Sequence, residues 1–159
     1  MNIRKIIQLL FCIALPLGAG ALSGYITAKG VNSEWFILLN RPSFNPPDEL
    51  FAPVWTTLYA MMGISFFLIL QTEKSEQRSN AILFFFIQLF LNFWWSVFFF
   101  SFKRTDIALG EMTLLWIGIL VMIISFRKLK PIAAYLQIPY LLWVSFALVL
   151  NAFLWKLNQ

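Results

Sequence analysis

Charged residues in this chain cluster between long apolar runs, at residues 6–28, 50–72, 79–102, 107–126 and 131–155. That spacing constrains the fold more than any other feature. At 1.5 Å of rise per residue, about 20 residues of helix cross a ~30 Å hydrocarbon core, and each run is long enough. Only the fourth run carries an internal acidic residue near its start, Glu111. Backbone polar groups cannot be left open in lipid, so the runs are expected to be helices. A barrel is disfavoured, because stretches such as 83–90 do not alternate apolar with polar residues. The expected fold is an all-α integral membrane protein, a single domain over residues 1–159 built as a five-helix bundle.

Composition narrows function. Of 159 residues, 60% are hydrophobic and 12% charged, far from the balance of a soluble domain. The net charge of +5 is spread over loop residues, which suits membrane topology; nucleic-acid binding is not expected, since no basic stretch is interleaved with exposed aromatics. The absence of His removes the commonest metal and haem ligand, and the lone Cys12 has no internal disulfide partner, so no metal site is expected. Arg4 and Lys5 before an apolar run, with small residues at 18–21, also resemble a cleavable signal, but the run continues to Ala28, which suits a retained helix. Within that run Gly20 and Gly24 form a small-residue face, for packing within the chain or at a homodimer seam.

The first connection, residues 29–49, is long and contains Arg41, Pro42, Pro46 and Pro47, whose prolines forbid a continuous helix and stiffen its junction with the second span. It is expected to act as a lid, hinged at residues 30–33 and carrying Trp35 over a pocket mouth. The other connections are short, which predicts that successive helices are antiparallel neighbours. Basic residues number seven on the N-terminal side (Arg4, Lys5, Lys74, Arg78, Arg127, Lys128, Lys130) and five on the other (Lys29, Arg41, Lys103, Arg104, Lys156), favouring a cytoplasmic N-terminus.

Polar and indole side chains are distributed unevenly in depth. Trp55, Trp95, Asn151 and Glu111 all fall in the half of the bundle next to the long loop; Asn92 lies somewhat deeper, and Trp143 and Trp116 lie near the midplane, where an aromatic belt does not account for them. Gln88, Asn92, Trp95 and Phe99 share one helical face, and Tyr140, Trp143, Ala147 and Asn151 nearly repeat that spacing. Singly these residues read as interhelical hydrogen bonds and core; together they describe a roofed apolar pocket with a few fixed polar groups.

The segments 41–47 (RPSFNPP) and 53–63 (PVWTTLYAMMG), with Gln88, Asn92, Trp95 and Ser96, then Pro139, Tyr140, Trp143, Phe146, Ala147, Asn151 and Trp155, resemble the translocator protein family, also called tryptophan-rich sensory proteins. The resemblance runs in order from Trp35 to Trp155. It implies a five-helix bundle, in a bacterial cell membrane, whose first loop closes a cavity for porphyrins such as protoporphyrin IX. It implies a ligand set of Trp55, Tyr59, Gln88, Asn92, Trp95, Tyr140, Trp143, Phe146, Ala147 and Asn151. It also implies a lid containing Trp35, Arg41, Pro42, Pro46 and Pro47. Some members degrade protoporphyrin IX in light, and Trp35 and Trp143 match the indoles implicated; porphyrin is then ligand or substrate, and no tightly held cofactor is required. Lys29, Arg41 and Lys103 are the candidate partners of its propionates. The sterol pattern of some members lacks its tyrosine in residues 150–156, and the third run, through which some relatives form homodimers, is crowded with Phe and has few small residues such as Ala81, Ser96 and Ser101. The alternatives are a transporter of tetrapyrroles or other small hydrophobic molecules, for which midplane charge and an internal repeat are lacking, and a structural membrane subunit.

Overall fold

The computed structural model describes residues 2–159. Seven helices are present among them: α1 (Ile3–Val31), α2 (Glu34–Ile37), α3 (Phe51–Leu70), α4 (Glu76–Ser96), α5 (Thr105–Leu129), α6 (Pro131–Tyr135) and α7 (Ile138–Leu157). Counting α6 and α7 as one interrupted span, five are long and apolar enough to cross a membrane. The chain is thus an all-α, multi-pass integral membrane protein. The helices start where local chemistry permits. The Asn2 side chain accepts from the Arg4 N–H, Ser33 Oγ from the Phe36 N–H at 3.3 Å and Ser75 Oγ from the Arg78 N–H at 3.2 Å, each satisfying a donor that the first turn leaves open.

Three departures from regular helix fall within or beside these spans. A 3₁₀ turn over Asp48–Leu50 leads into α3, following the stiff Pro46-Pro47 pair. α4 widens into a π turn over Val97–Ser101. The fifth span breaks at Leu136 and Gln137, because Pro139 has no N–H to give to the Tyr135 carbonyl; the Leu141 N–H resumes the ladder on Gln137 O at 3.0 Å. Pro139 therefore interrupts the fifth span.

Neighbour relations differ from the sequence-based expectation at one place. α1 packs on α3 and, on its other side, on α4; α4 packs on α5, α5 on α6 and α7, and α6 returns to α3. α3 and α4, although consecutive, are not close neighbours along their length. They meet through the stacked rings of Phe66 and Phe85, 4.1 Å apart, in the half near their turn. The side of α1 fills the space between them, which a short connection does not forbid.

The two halves of the bundle are packed differently. Far from the long loop, Met62, Ile69, Phe85, Ile119, Met122 and Phe126 are fully buried. There Gly63 lets α1 and α3 touch backbone to backbone: a Cβ on it would lie 2.7 Å from the Cys12 carbonyl oxygen and closer still to Ile13 Cα. Towards the loop the helices draw apart, and side chains rather than backbones bridge the gap. Phe51 reaches Trp143 edge-on at 5.7 Å and Trp55 reaches Tyr140 at 6.1 Å.

The expected hinge at residues 30–33 is corrected by the structure. Gly30 and Val31 belong to α1, and Gly30 is buried with its Cα against the Phe100 ring; Asn32 and Ser33 form the junction with α2 and are hydrogen bonded to Ala28 O and Gly30 O. Gly30 is used here for close approach, so it supplies no free joint.

Candidate functional site

The divergence of the helices leaves a cavity of about 610 Å³ in the loop-side half of the bundle, within the usual size range of sites for small organic ligands. All five spans contribute. The cavity lies between Leu17 and Val31 of α1, Phe51 and Tyr59 of α3, Asn92 and Phe100 of α4 with its π turn, Met112 of α5, and Trp143 and Leu154 of α7. Every span contributes its loop-side part, which is why the polar and indole residues of the sequence cluster at one depth.

A directed chain of hydrogen bonds forms the floor. The Tyr59 hydroxyl donates to Asn92 Oδ1; Asn92 Nδ2 donates to the Tyr140 hydroxyl at 3.0 Å; that hydroxyl donates to Gln88 Oε1 at 3.0 Å; and Gln88 Nε2 donates to the Phe85 carbonyl at 3.0 Å. Four buried polar side chains on three spans are satisfied by one another, as an apolar interior requires. Higher up, Trp95 Nε1 donates to Asn151 Oδ1 at 3.1 Å, and Asn151 Nδ2 donates to Thr105 O at 2.9 Å, which ties α4 and α7 to the start of α5. Trp116 is held away from the cavity by its 2.8 Å bond to Ser145 Oγ. The Trp143 indole N–H and both Glu111 carboxyl oxygens are buried without a partner among the described residues.

Aromatic faces surround the space above this floor. Trp55 stacks on Tyr59 with centroids 5.4 Å apart, and Trp95 stacks on Phe99 at 5.2 Å. Phe99 and Phe100, both carried on the π turn at the end of α4, line the cavity as well.

Of the residues singled out from the sequence, Trp55, Tyr59, Asn92, Trp95, Trp143, Ala147 and Asn151 line the cavity. Gln88 and Tyr140 do not; fully enclosed, they form the network beneath its floor. Phe146 also lies off it, stacked obliquely on Trp143 at 5.7 Å and facing Phe44 edge-on. Trp35 does not reach the space either and meets the outer edge of Phe99 at 5.8 Å. From the loop, Phe36, Asn45 and Asp48 line the cavity, whereas Arg41, Pro42, Pro46 and Pro47 stand behind them. Arg41 is engaged with Asp48 at 3.3 Å and lies over the Phe36 ring at 4.3 Å, and Lys29 lies over Tyr25 at 4.4 Å, so neither projects into the cavity as the propionate reading required.

The α1 wall was not foreseen as part of the site. Gly20 and Gly24, read from sequence as one packing face, separate in role: a Cβ on Gly20 would strike the Tyr59 ring, whereas one on Gly24 would meet nothing within 4 Å. Their spacing is legible in sequence, but which of the two meets a partner is not.

A five-helix membrane bundle with an aromatic, amide-floored cavity in one half defines the class of this protein. The chain matches the TspO/MBR family over residues 12–156, and it belongs to that family. It is 40% identical to the tryptophan-rich protein TspO of Chlorobaculum tepidum over 157 residues, 98% of each chain. It is 34% identical to the tryptophan-rich sensory protein of Cereibacter sphaeroides, over 99% of this chain and 95% of that one. It is 30% identical to the translocator protein of Homo sapiens, over 94% of this chain and 88% of the human one. These similarities are consistent with a multi-pass protein of a bacterial cell membrane.

Proposed function

We propose that this protein is a membrane-embedded binding protein, a sensor or receptor, for porphyrins such as protoporphyrin IX and related flat hydrophobic ligands. The observation that carries this reading is the 610 Å³ cavity faced by Trp55, Trp95 and Trp143 and floored by hydrogen-bonded amides. A flat conjugated ring gains dispersion and burial between such faces, while amide and hydroxyl groups at one end fix its orientation. Because the chain has no His, a metal-free porphyrin suits the cavity better than haem held through its iron. The loop preceding α3 acts as the roof, with Phe36, Asn45 and Asp48 towards the ligand.

Light-dependent porphyrin loss is part of the same reading. The illuminated porphyrin and dissolved oxygen supply the reactivity, and the protein supplies placement beside oxidisable indoles, of which Trp143 is at the cavity and Trp35 is one ring removed. The test is titration of the purified protein with protoporphyrin IX, its iron complex and a smaller tetrapyrrole, in darkness and then under illumination. Saturable quenching of tryptophan fluorescence by the metal-free ring is expected. Failure of all three to bind above the detergent background would end the porphyrin reading, and bleaching no faster than in detergent alone would leave a binder without photochemistry.

A further inference from the structure

The walls of the cavity differ in exposure. Ser96, Phe99, Leu150 and Asn151, on the α4 and α7 sides, are buried even though they line it. Ala21, Gly24 and Ala28 of α1 and Ala52 and Thr56 of α3 line the same space and are exposed. The opening therefore lies between α1 and α3. Leu22 and Tyr25, beside it on α1, are 65% and 62% exposed, as expected of a surface that meets acyl chains.

The cause is visible along the two helices. They are clamped where Gly63 meets the backbone at Cys12 and Ile13, and again where Gly20 meets the Tyr59 ring. One turn further towards the loop, Gly24 has no side chain and nothing opposite it within 4 Å. With only Ala, Gly and Thr on both edges, the wedge between the diverging helices stays unfilled. The route from water is more encumbered. The loop is tied to the end of α7 by the Asn40 N–H on Asn158 Oδ1 at 2.8 Å and by Asn158 Nδ2 on Asn40 O at 3.0 Å, and to itself by Arg41 and Asp48 at 3.3 Å.

We infer that the gap between α1 and α3 is the entrance to the cavity, so that ligand arrives from the loop-side half of the bilayer rather than from water. This rests on the proposed binding role and adds the class of ligand: an aromatic amphiphile that first partitions into lipid. Its ring passes between small side chains while its carboxylates stay at the level of Asp48, Arg41 and Lys29, where the interface supplies water and cations.

Thiol labelling tests the entrance without using porphyrin. Ala147→Cys places one thiol on the wall opposite the gap, in a Cys12→Ala background reconstituted into liposomes. N-phenylmaleimide, which dissolves in the bilayer, is expected to label it at least tenfold faster than a charged impermeant maleimide, each rate normalised to a free thiol in buffer. Adding Gly24→Phe is expected to slow N-phenylmaleimide at least tenfold; Ala28→Leu is a second plug, should the first variant not fold. Gly18→Phe, on an exposed position of α1 outside the cavity, is expected to leave the rate within twofold. Equal normalised rates for the two reagents, or no slowing by a folded plug variant, would overturn the lateral entrance. Porphyrin affinity is measured separately: its absence removes the proposed ligand, whereas the labelling rates alone decide the route.

Discussion

Replacing Tyr140 by Phe removes one oxygen atom from the centre of the floor network and leaves the ring in place. In the structure that hydroxyl is both acceptor, from Asn92 Nδ2, and donor, to Gln88 Oε1, each at 3.0 Å. Tyr140 and Gln88 are 1% and 0% exposed, so water cannot replace either bond without opening the bundle. Polar pairs between membrane helices contribute about 0.6 kcal/mol on average and up to about 1.7 kcal/mol. Two such bonds, with a donor and an acceptor left unmatched, set the expected loss at about 1–3 kcal/mol. Because Tyr140 lies beneath the cavity, porphyrin affinity is expected to change less than threefold. The assay is reversible unfolding in mixed micelles against a denaturing detergent, paired with fluorescence titration of protoporphyrin IX. A loss below about 0.5 kcal/mol would refute the network as a structural element. Unchanged stability with a tenfold fall in affinity would show instead that the hydroxyl meets the ligand.

Gly63→Val should destabilise the fold by at least about 2 kcal/mol, since the branched side chain would separate α1 from α3 at a backbone contact, and a wild-type thermal transition would contradict that packing. Trp143→Phe should retain most porphyrin binding, as Phe keeps an apolar ring at the cavity wall, yet slow light-dependent porphyrin loss several-fold relative to wild type in the same detergent. Trp35→Phe should have a smaller effect, because Trp35 meets Phe99 rather than the cavity, and equal bleaching by the double variant and wild type would reduce both indoles to lining. Asn158→Ala should release the loop from α7 and raise amide hydrogen exchange at Asn40 at least tenfold without altering exchange in the core of α3, and unchanged protection at Asn40 would refute the tether.

Much of this architecture could be read without coordinates. Lipid allows so few backbone solutions that the apolar runs alone placed five spans to within a few residues. The high cost of polar groups in hydrocarbon made Asn92, Trp95 and Asn151 informative by depth as well as by type. The kinship of the chain, including the proline-rich turn before α3, was legible in short ordered motifs. What remained open were relations between helices. Gln88 and Tyr140 share helical faces with cavity residues, but a period of 3.6 does not say how deep a cavity extends, and the structure encloses them below it. The π turn that carries Phe99 and Phe100 to the cavity at the end of α4 was not signalled by local sequence. The long loop was recognised, yet its hinge was misplaced, since Gly30 accommodates the Phe100 ring from another helix. Gly20 and Gly24 carry the difference most sharply: the same residue, one turn apart, closes a contact in one case and leaves an opening in the other. Local sequence determines where a small side chain stands, whereas the divergence of α1 from α3, a property of the packed bundle, decides whether anything stands opposite it.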